Sequence, residues 1–256
     1  MPLNYARRLT GPQRSRQADR HIGLVLTFVA GATNAGAFLA VHQYTSHMTG
    51  MVSSMADNLI LGGWEVVLAG VGALSSFLFG AGCSAVLVNF ARRHRLHSEY
   101  SGPLLLEALM LLMFGVLGAQ LESLHGIFVP FTVGLLCFTM GLQNAVITKL
   151  SRAEIRTTHV TGIVTDLGIE LGKLVYWNRS RAYSDAGPLP VTANRDRLQI
   201  LALLLTSFFC GGVAGAWAFN RLGYVSTVPL ALLLTALVAV PLWDDLRDRL
   251  APRWID

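Results

Sequence analysis

Two stretches of this 256-residue chain carry the same polar groups in the same order. His47-Met48-Thr49-Gly50-Met51-Val52 has a second copy in His159-Val160-Thr161-Gly162-Ile163-Val164. Each follows a Gly-x-x-Asn-Ala block, Gly31/Asn34/Ala35 before the first and Gly141/Asn144/Ala145 before the second. The two Asn stand 110 residues apart and the two His 112, so the chain is a duplication presenting equivalent polar groups twice.

The chemistry on offer is hydrogen bonding and proton exchange. Taken as a helix starting at the His, each copy places positions +7 and +11 within about 20° of it. These are Ser54 and Asn58 in the first copy, Asp166 and Glu170 in the second. Each short helix therefore shows one polar stripe, acidic in the second copy; Asp57 lies about 80° off it. The Thr-Gly step (Thr49-Gly50, Thr161-Gly162) allows close backbone approach, and Thr can cap free N–H groups. A helix N-terminus ending inside a membrane points partial positive charge there. Asn34, Asn144 and the adjacent Gln143 can add side-chain amides. Ionisable groups at membrane depth are costly and default to a functional role, so both His, Asp166, Glu170 and Glu107 are candidates. The alternative is that the Asn, His and Thr are interhelical hydrogen-bond glue, on the order of 1 kcal/mol each. His47, His159, Asp166 and Glu170 would make a metal site only if they converged; no metal, cofactor or catalytic residue is expected, and the chain is not read as an enzyme.

The elements that position these groups are membrane helices. Hydrophobic residues make up 53% of the chain and charged residues 14%, against about a quarter in soluble domains. The apolar residues fall in blocks long enough to cross the bilayer. Spans are expected at about Ile22–Val41, Trp64–Phe90, Pro103–Leu121, Ile127–Thr148, Leu198–Phe219 and Val225–Leu242, with short segments at about Ser46–Leu61 and Thr158–Trp177. If both short segments crossed, Arg92–Arg95 would lie opposite the basic N-terminal arm. If they dip and return, or lie at the surface, every basic cluster falls on one side and the outer turns keep only Arg221. Six crossings are therefore expected, three per repeat, with the halves entering the membrane in opposite directions and the short helices approaching each other near the midplane.

The expected fold is thus all-α: a polytopic membrane protein of six transmembrane helices plus two short re-entrant helices, in two inverted three-span repeats. Residues 1–20 read as a disordered basic arm, 21–122 and 123–243 as the repeats, with a cytosolic loop at about 178–197 and a charged tail at 244–256. The first apolar segment is too long for a signal peptide and should be retained. Cys83, Cys137 and Cys210 stand singly and read as packing residues. Arg92/Arg93 and Arg179/Arg181 read as topology signals or lipid head-group contacts, and Trp64, Tyr176, Trp177, Tyr224, Trp243 and Trp254 as interface anchors. The net positive charge says little about nucleic acid, which is not an expected partner.

Both motif copies, Gly31-Ala-Thr-Asn34-Ala with His47-Met-Thr-Gly50 and Gly141-Leu-Gln-Asn144-Ala with His159-Val-Thr-Gly162, resemble the YoaK family of small bacterial inner-membrane proteins. The resemblance covers nearly all the apolar chain. It implies a six-span protein of the bacterial inner membrane and no established activity. Family members carry Asp where Asn34 stands and Asn where Met51 stands, so no indispensable acidic group is implied in the first repeat.

From the residues, a channel or secondary transporter for a small polar or ionic solute is expected, with both termini cytoplasmic. Its pathway would be lined by Asn34, His47, Thr49, Gly50, Ser54, Asn58, Gln143, Asn144, His159, Thr161, Gly162, Asp166 and Glu170. The alternative is a membrane scaffold or sensor in which these groups are structural. The bilayer is the certain partner; the many small residues serve packing within a subunit or in a homo-oligomer equally well.

Overall fold

A computed structural model describes residues 16–96, 98–120, 125–150, 160–176 and 191–250. Their regular structure is all helical, with no strand among them. In chain order the helices are α1 (Arg16–Val41), α2 (Met48–Leu61), α3 (Trp64–Arg93), α4 (Ser101–Gln120), α5 (His125–Leu150), α6 (Val160–Val175), α7 (Arg195–Leu222) and α8 (Thr227–Leu250), the last two joined by a 3₁₀ turn, Gly223–Ser226. Five stretches are long and apolar enough to cross a membrane, and the last, Arg195–Arg247, holds both α7 and α8. The apolar side chains exposed on α3 and α7, such as Leu78, Phe79, Val86, Phe209 and Trp217, are what hydrocarbon accepts and water does not.

Two expected boundaries move. Helix α1 starts at Arg16, inside the stretch read as a disordered arm, with Asp19 in its first turn, where a carboxylate suits the helix dipole. Helix α8 runs on to Leu250 through Pro241, because the expected tail is docked: Ser98 donates to Asp245 from both its backbone N–H and its hydroxyl, and Asp245 is buried.

The duplication is built into the packing. Helix α1 pairs with α7, and α5 with α3, so the first helix of each half lies on the third helix of the other. In the first pair, a Cβ at Gly31 would run into the Phe208 carbonyl oxygen, and one at Gly211 into the Phe28 carbonyl. In the second, Gly141 meets the Phe77 carbonyl and Gly80 the Phe138 carbonyl in the same way. Backbone touches backbone at both crossings, which only glycine permits. Ser207 Oγ adds a 2.8 Å bond to the Leu24 carbonyl. Exchanging the halves also maps α2–α3 onto α6–α7, and leaves α1–α5 and α4–α8 as self-paired contacts.

Helix directions follow from which residues meet. In α1–α7, residues 24, 28 and 32 meet 207, 211 and 215, so the two run the same way. Helices α3 and α5 do likewise, from Gly80–Phe138 to the Lys149 Nζ bond with Asn89 Oδ1 at 3.0 Å. Helix α1 runs against α5: Ile22 and Leu26 share a core cluster with Val146 and Ile147, whereas Ala37 and Val41 share the other with Val133, Leu136 and Cys137. These directions bring Arg20, Arg92, Arg93, Lys149, Arg195 and Arg197 to one end of the bundle. Arg92 ties that end together, bonding Glu99 and the Tyr100 hydroxyl.

Candidate functional site

The first polar block is assembled by the break after α1. Gly31 fixes α1 against α7, and one turn on, Asn34 is nearly buried where the chain turns back. His42 takes a left-handed φ of 55°, and residues 42–47 return alongside α1. Ser46 Oγ then donates to Asn34 Oδ1 at 2.9 Å, while Thr45 Oγ1 is fully buried without a partner. Helix α2 thus starts close to Asn34, partway along α1, with His47 and Thr49 exposed. It runs outward against α3, with Met51 and Ala73 in one cluster, and turns at Gly62, whose φ of 78° suits a residue without Cβ.

His47 occupies the cap position of α2 without using its side chain as a cap. Its imidazole folds over Gly50 instead: a Cβ there would collide with the ring. That is the physical content of the His-x-Thr-Gly spacing in this copy. The first amides of α2 are left without a side-chain cap, and His47 and Thr49 beside them are exposed. Among the residues around this break no carboxylate is bonded.

The second block has the same frame. Gly141 locks α5 to α3, and Asn144, also nearly buried, bonds the Met140 carbonyl through Nδ2 at 2.9 Å. Gln143 Nε2 reaches across to the Leu26 carbonyl of α1 at 3.1 Å. His159 lies outside the described residues, as do Arg179 and Arg181. Thr161 and Gly162 are exposed in the first turn of α6, where Thr161 O accepts from Thr165 Oγ1.

The Asn34 and Gln143 amides stand at different levels of the bundle, and His159 of the second block lies outside the described residues. Gln143 is level with Leu26, and Asn34 is eight residues further along α1, about 12 Å at 1.5 Å per residue. The reason is the antiparallel packing of α1 on α5, which places residues late in each helix at opposite ends of their interface.

In the polar stripes, Asn58 Nδ2 bonds the Ser54 carbonyl at 2.8 Å, and the Asn58 carbonyl accepts the Gly63 N–H just before α3. A Cβ on Gly63 would strike Asn58 Oδ1. In the other half Glu170 Oε2 accepts the Asn194 N–H just before α7, at 2.8 Å, and Oε1 holds Lys173 at 2.9 Å. Asp166 pairs with Arg197 at 2.9 Å, and the Asn194 side chain caps α7 by accepting the Arg197 N–H. Asp166 and Glu170 thus clasp α6 to the start of α7, whereas Ser54 and Asn58 bond each other within α2, and only the Asn58 backbone carbonyl reaches the link to α3. The bond to Lys173, helped by the Asn194 amide, holds the Glu170 carboxyl below the usual carboxylate range.

One signal went unused in the sequence. Ser76-Phe77-x-x-Gly80 recurs as Ser207-Phe208-x-x-Gly211, and these strings form the two glycine crossings. Their spacing is 131 residues, not 110, because the connection between α6 and α7 is longer than the Gly62-Gly63 link; a search at fixed period passes over them. Among the described residues no group of three His, Cys, Asp or Glu could hold a metal ion.

The family model described as "Protein of unknown function (DUF1275)" matches residues 22–240, nearly the whole helical bundle. No curated protein and no solved structure matches the chain.

Proposed function

The chain belongs to the DUF1275 family, for which no function is assigned, and we propose that it is a channel or secondary transporter for a small polar or ionic solute. The helical, apolar bundle makes it a membrane protein. On this reading α1, α3, α4, α5, α7 and α8 cross the bilayer, α2 and α6 are re-entrant, and the repeats are inverted. The gathering of basic residues at one end supports cytoplasmic termini and, with the YoaK resemblance, the bacterial inner membrane.

The observation that carries the reading is the exchanged crossing. Each half donates its first helix to the other, in the same register, giving two equivalent bodies, α1/α6/α7 and α5/α2/α3. Two equivalent bodies joined across one interface are the mechanical parts of alternating access. Asn34, His47, Thr49 and Gly50 would serve one body, and Gln143, Asn144, His159, Thr161 and Gly162 the other. The stripe carboxylates are bonded to Lys173, Arg197 and Asn194, and the first block holds no carboxylate but an uncapped helix N-terminus. That favours a neutral polar solute or an anion.

A scaffold is the second reading, favoured by the stripes' structural role. Reconstituted liposomes separate the two. Asn34→Ala and His47→Ala should cut a detected solute flux severalfold while the thermal midpoint in detergent stays near wild type. Unchanged flux with a lowered midpoint would establish the scaffold instead.

A further inference from the structure

Glu107 lies within α4 and is 1% exposed. Its Oε2 has no hydrogen-bond partner. The residues beside it on α4, Leu104, Ala108 and Leu111, belong to an apolar cluster with Val88, Val146, Ile147, Leu234 and Val238, in which Tyr100 is the only ionisable member. A carboxylate kept there unpaired is strongly disfavoured and takes up a proton instead.

The register says what that proton would meet. Tyr100 and Phe114 each stand seven residues from Glu107, within about 20° of it around the helix. The Tyr100 hydroxyl lies 3.4 Å from the Lys149 carbonyl of α5, and Phe114, stacked on Phe219 and edge-on to Tyr224, shares a cluster with Val133 and Leu136 of α5. Midway between these ties, Glu107 comes level with Leu142 and Gln143. Gln143 is also 1% exposed. Its amide donor is taken by the Leu26 carbonyl, and its Oε1 is buried with no donor. An orphan acid and an orphan acceptor thus occupy one level of the bundle, and a proton on the acid would supply a bond of the kind the acceptor lacks.

We propose that Glu107 is a proton-binding site, its carboxyl donating to Gln143 Oε1, and that gain and loss of this proton is coupled to solute passage. The coupling rests on the transporter reading; the proton site does not. The ionisable groups that face this level from the packed helices lie away from it. Lys149 on α5 is about two turns nearer the basic end, with its ammonium on Asn89 of α3. Cys137 on α5 is buried more than a turn the other way, Cys83 lies on α3, and Arg92 is engaged by Glu99 and Tyr100. On α8, Asp244 and Asp245 lie toward the basic end, the latter holding Ser98, nine residues before Glu107.

Infrared difference spectra of purified wild type and Glu107→Gln at neutral pH give the test, with no solute needed. A protonated-carboxyl C=O band should appear in the wild type, vanish in the variant, and move in frequency in Gln143→Leu. A proton held only by the folded state makes the wild-type folding equilibrium weaken with rising pH, by up to tenfold per pH unit, and Glu107→Gln should lose that slope. Absence of the band overturns the proposal. So does a thermal midpoint that responds to sodium and not to pH, since Ser84 Oγ, buried without a partner on α3, would then complete a cation site. If Glu107→Gln does not fold, the wild-type difference between neutral and alkaline pH, and its shift in Gln143→Leu, decide the same question. A band present in a protein without detectable flux leaves the proton site standing and removes the transporter.

Discussion

Gly141→Ala should destabilise this protein although alanine is the better helix former. The Cβ would approach the Phe77 carbonyl oxygen, carbon and Cα, all backbone, so no rotamer change relieves the clash. Helices α3 and α5 must part locally by on the order of 1 Å to restore van der Waals distance. Overpacking of this kind costs about 1–3 kcal/mol, more than the roughly 1 kcal/mol gained by replacing a helical glycine. At roughly 2–4 °C per kcal/mol, the thermal midpoint in detergent should fall by several degrees. Gly31→Ala should fall by a similar amount, since it makes the same collision with Phe208 in the other body. Gly80→Ala added to Gly141→Ala should cost less than the two singly, because the crossing has already been forced apart. Gly72→Ala and Gly82→Ala are the controls; nothing lies within 4 Å of either Cβ, and both should be neutral or stabilising. If Gly82→Ala lowered the midpoint as much as Gly141→Ala, or the latter were harmless, the exchanged crossing would be refuted.

Glu170→Gln should lower the midpoint at neutral pH, and the difference from wild type should close as pH falls. The folded-state value is depressed, so its stabilisation is present above the unfolded carboxylate value of about 4.3 and is lost as pH drops through the folded value. A gap of constant size across that range would show that the carboxylate is not what clasps α7. Asn194→Ala should cost about 1 kcal/mol through the lost cap. Asp166→Asn, losing only a half-exposed pair with Arg197, should cost about 0–1 kcal/mol; midpoints of the two variants side by side check the order. Gly50→Ala displaces only a side chain, the His47 ring, and should leave the midpoint nearly unchanged while lowering any flux that depends on that ring's position.

What the sequence disclosed, it disclosed through repetition. Gly31 and Asn34, recurring at 141 and 144, located the two blocks, and the placing of Arg92, Lys149 and Arg197 separated short segments from long ones. The partner of each block was hidden. A glycine in an apolar helix does not say which carbonyl it faces, and the change of period between Gly141 and Gly211 masked the second half of each crossing. The stripes were legible as stripes, but the bonds of Asp166 to Arg197 and of Glu170 to Asn194 were not, because helical phase gives a face and not the neighbour on it. Glu107 was legible as an ionisable group inside an apolar span, but its burial with Oε2 left partnerless depends on the helices packed around α4, which no local pattern encodes.

The exchanged crossings also say where motion is cheap. Within each body, backbone rests on backbone and parting the helices loses many contacts at once. Between the bodies, α1 and α5 are bridged by the bond from Gln143 to Leu26 O, and Thr33, two turns from Leu26 on the same face of α1, has its hydroxyl buried with no partner. A buried polar group left unsatisfied costs about 1–3 kcal/mol, which opening the interface to water returns. On the transporter reading, a form closed at this face is less stable than its area of contact alone would make it. Thr33→Val keeps the shape and removes the orphan hydroxyl, so the midpoint should rise by a few degrees and any flux should slow as the closed form deepens. Were the midpoint to fall, the hydroxyl would be satisfied in the protein; were the flux to quicken, the face between α1 and α5 would not be the one that opens.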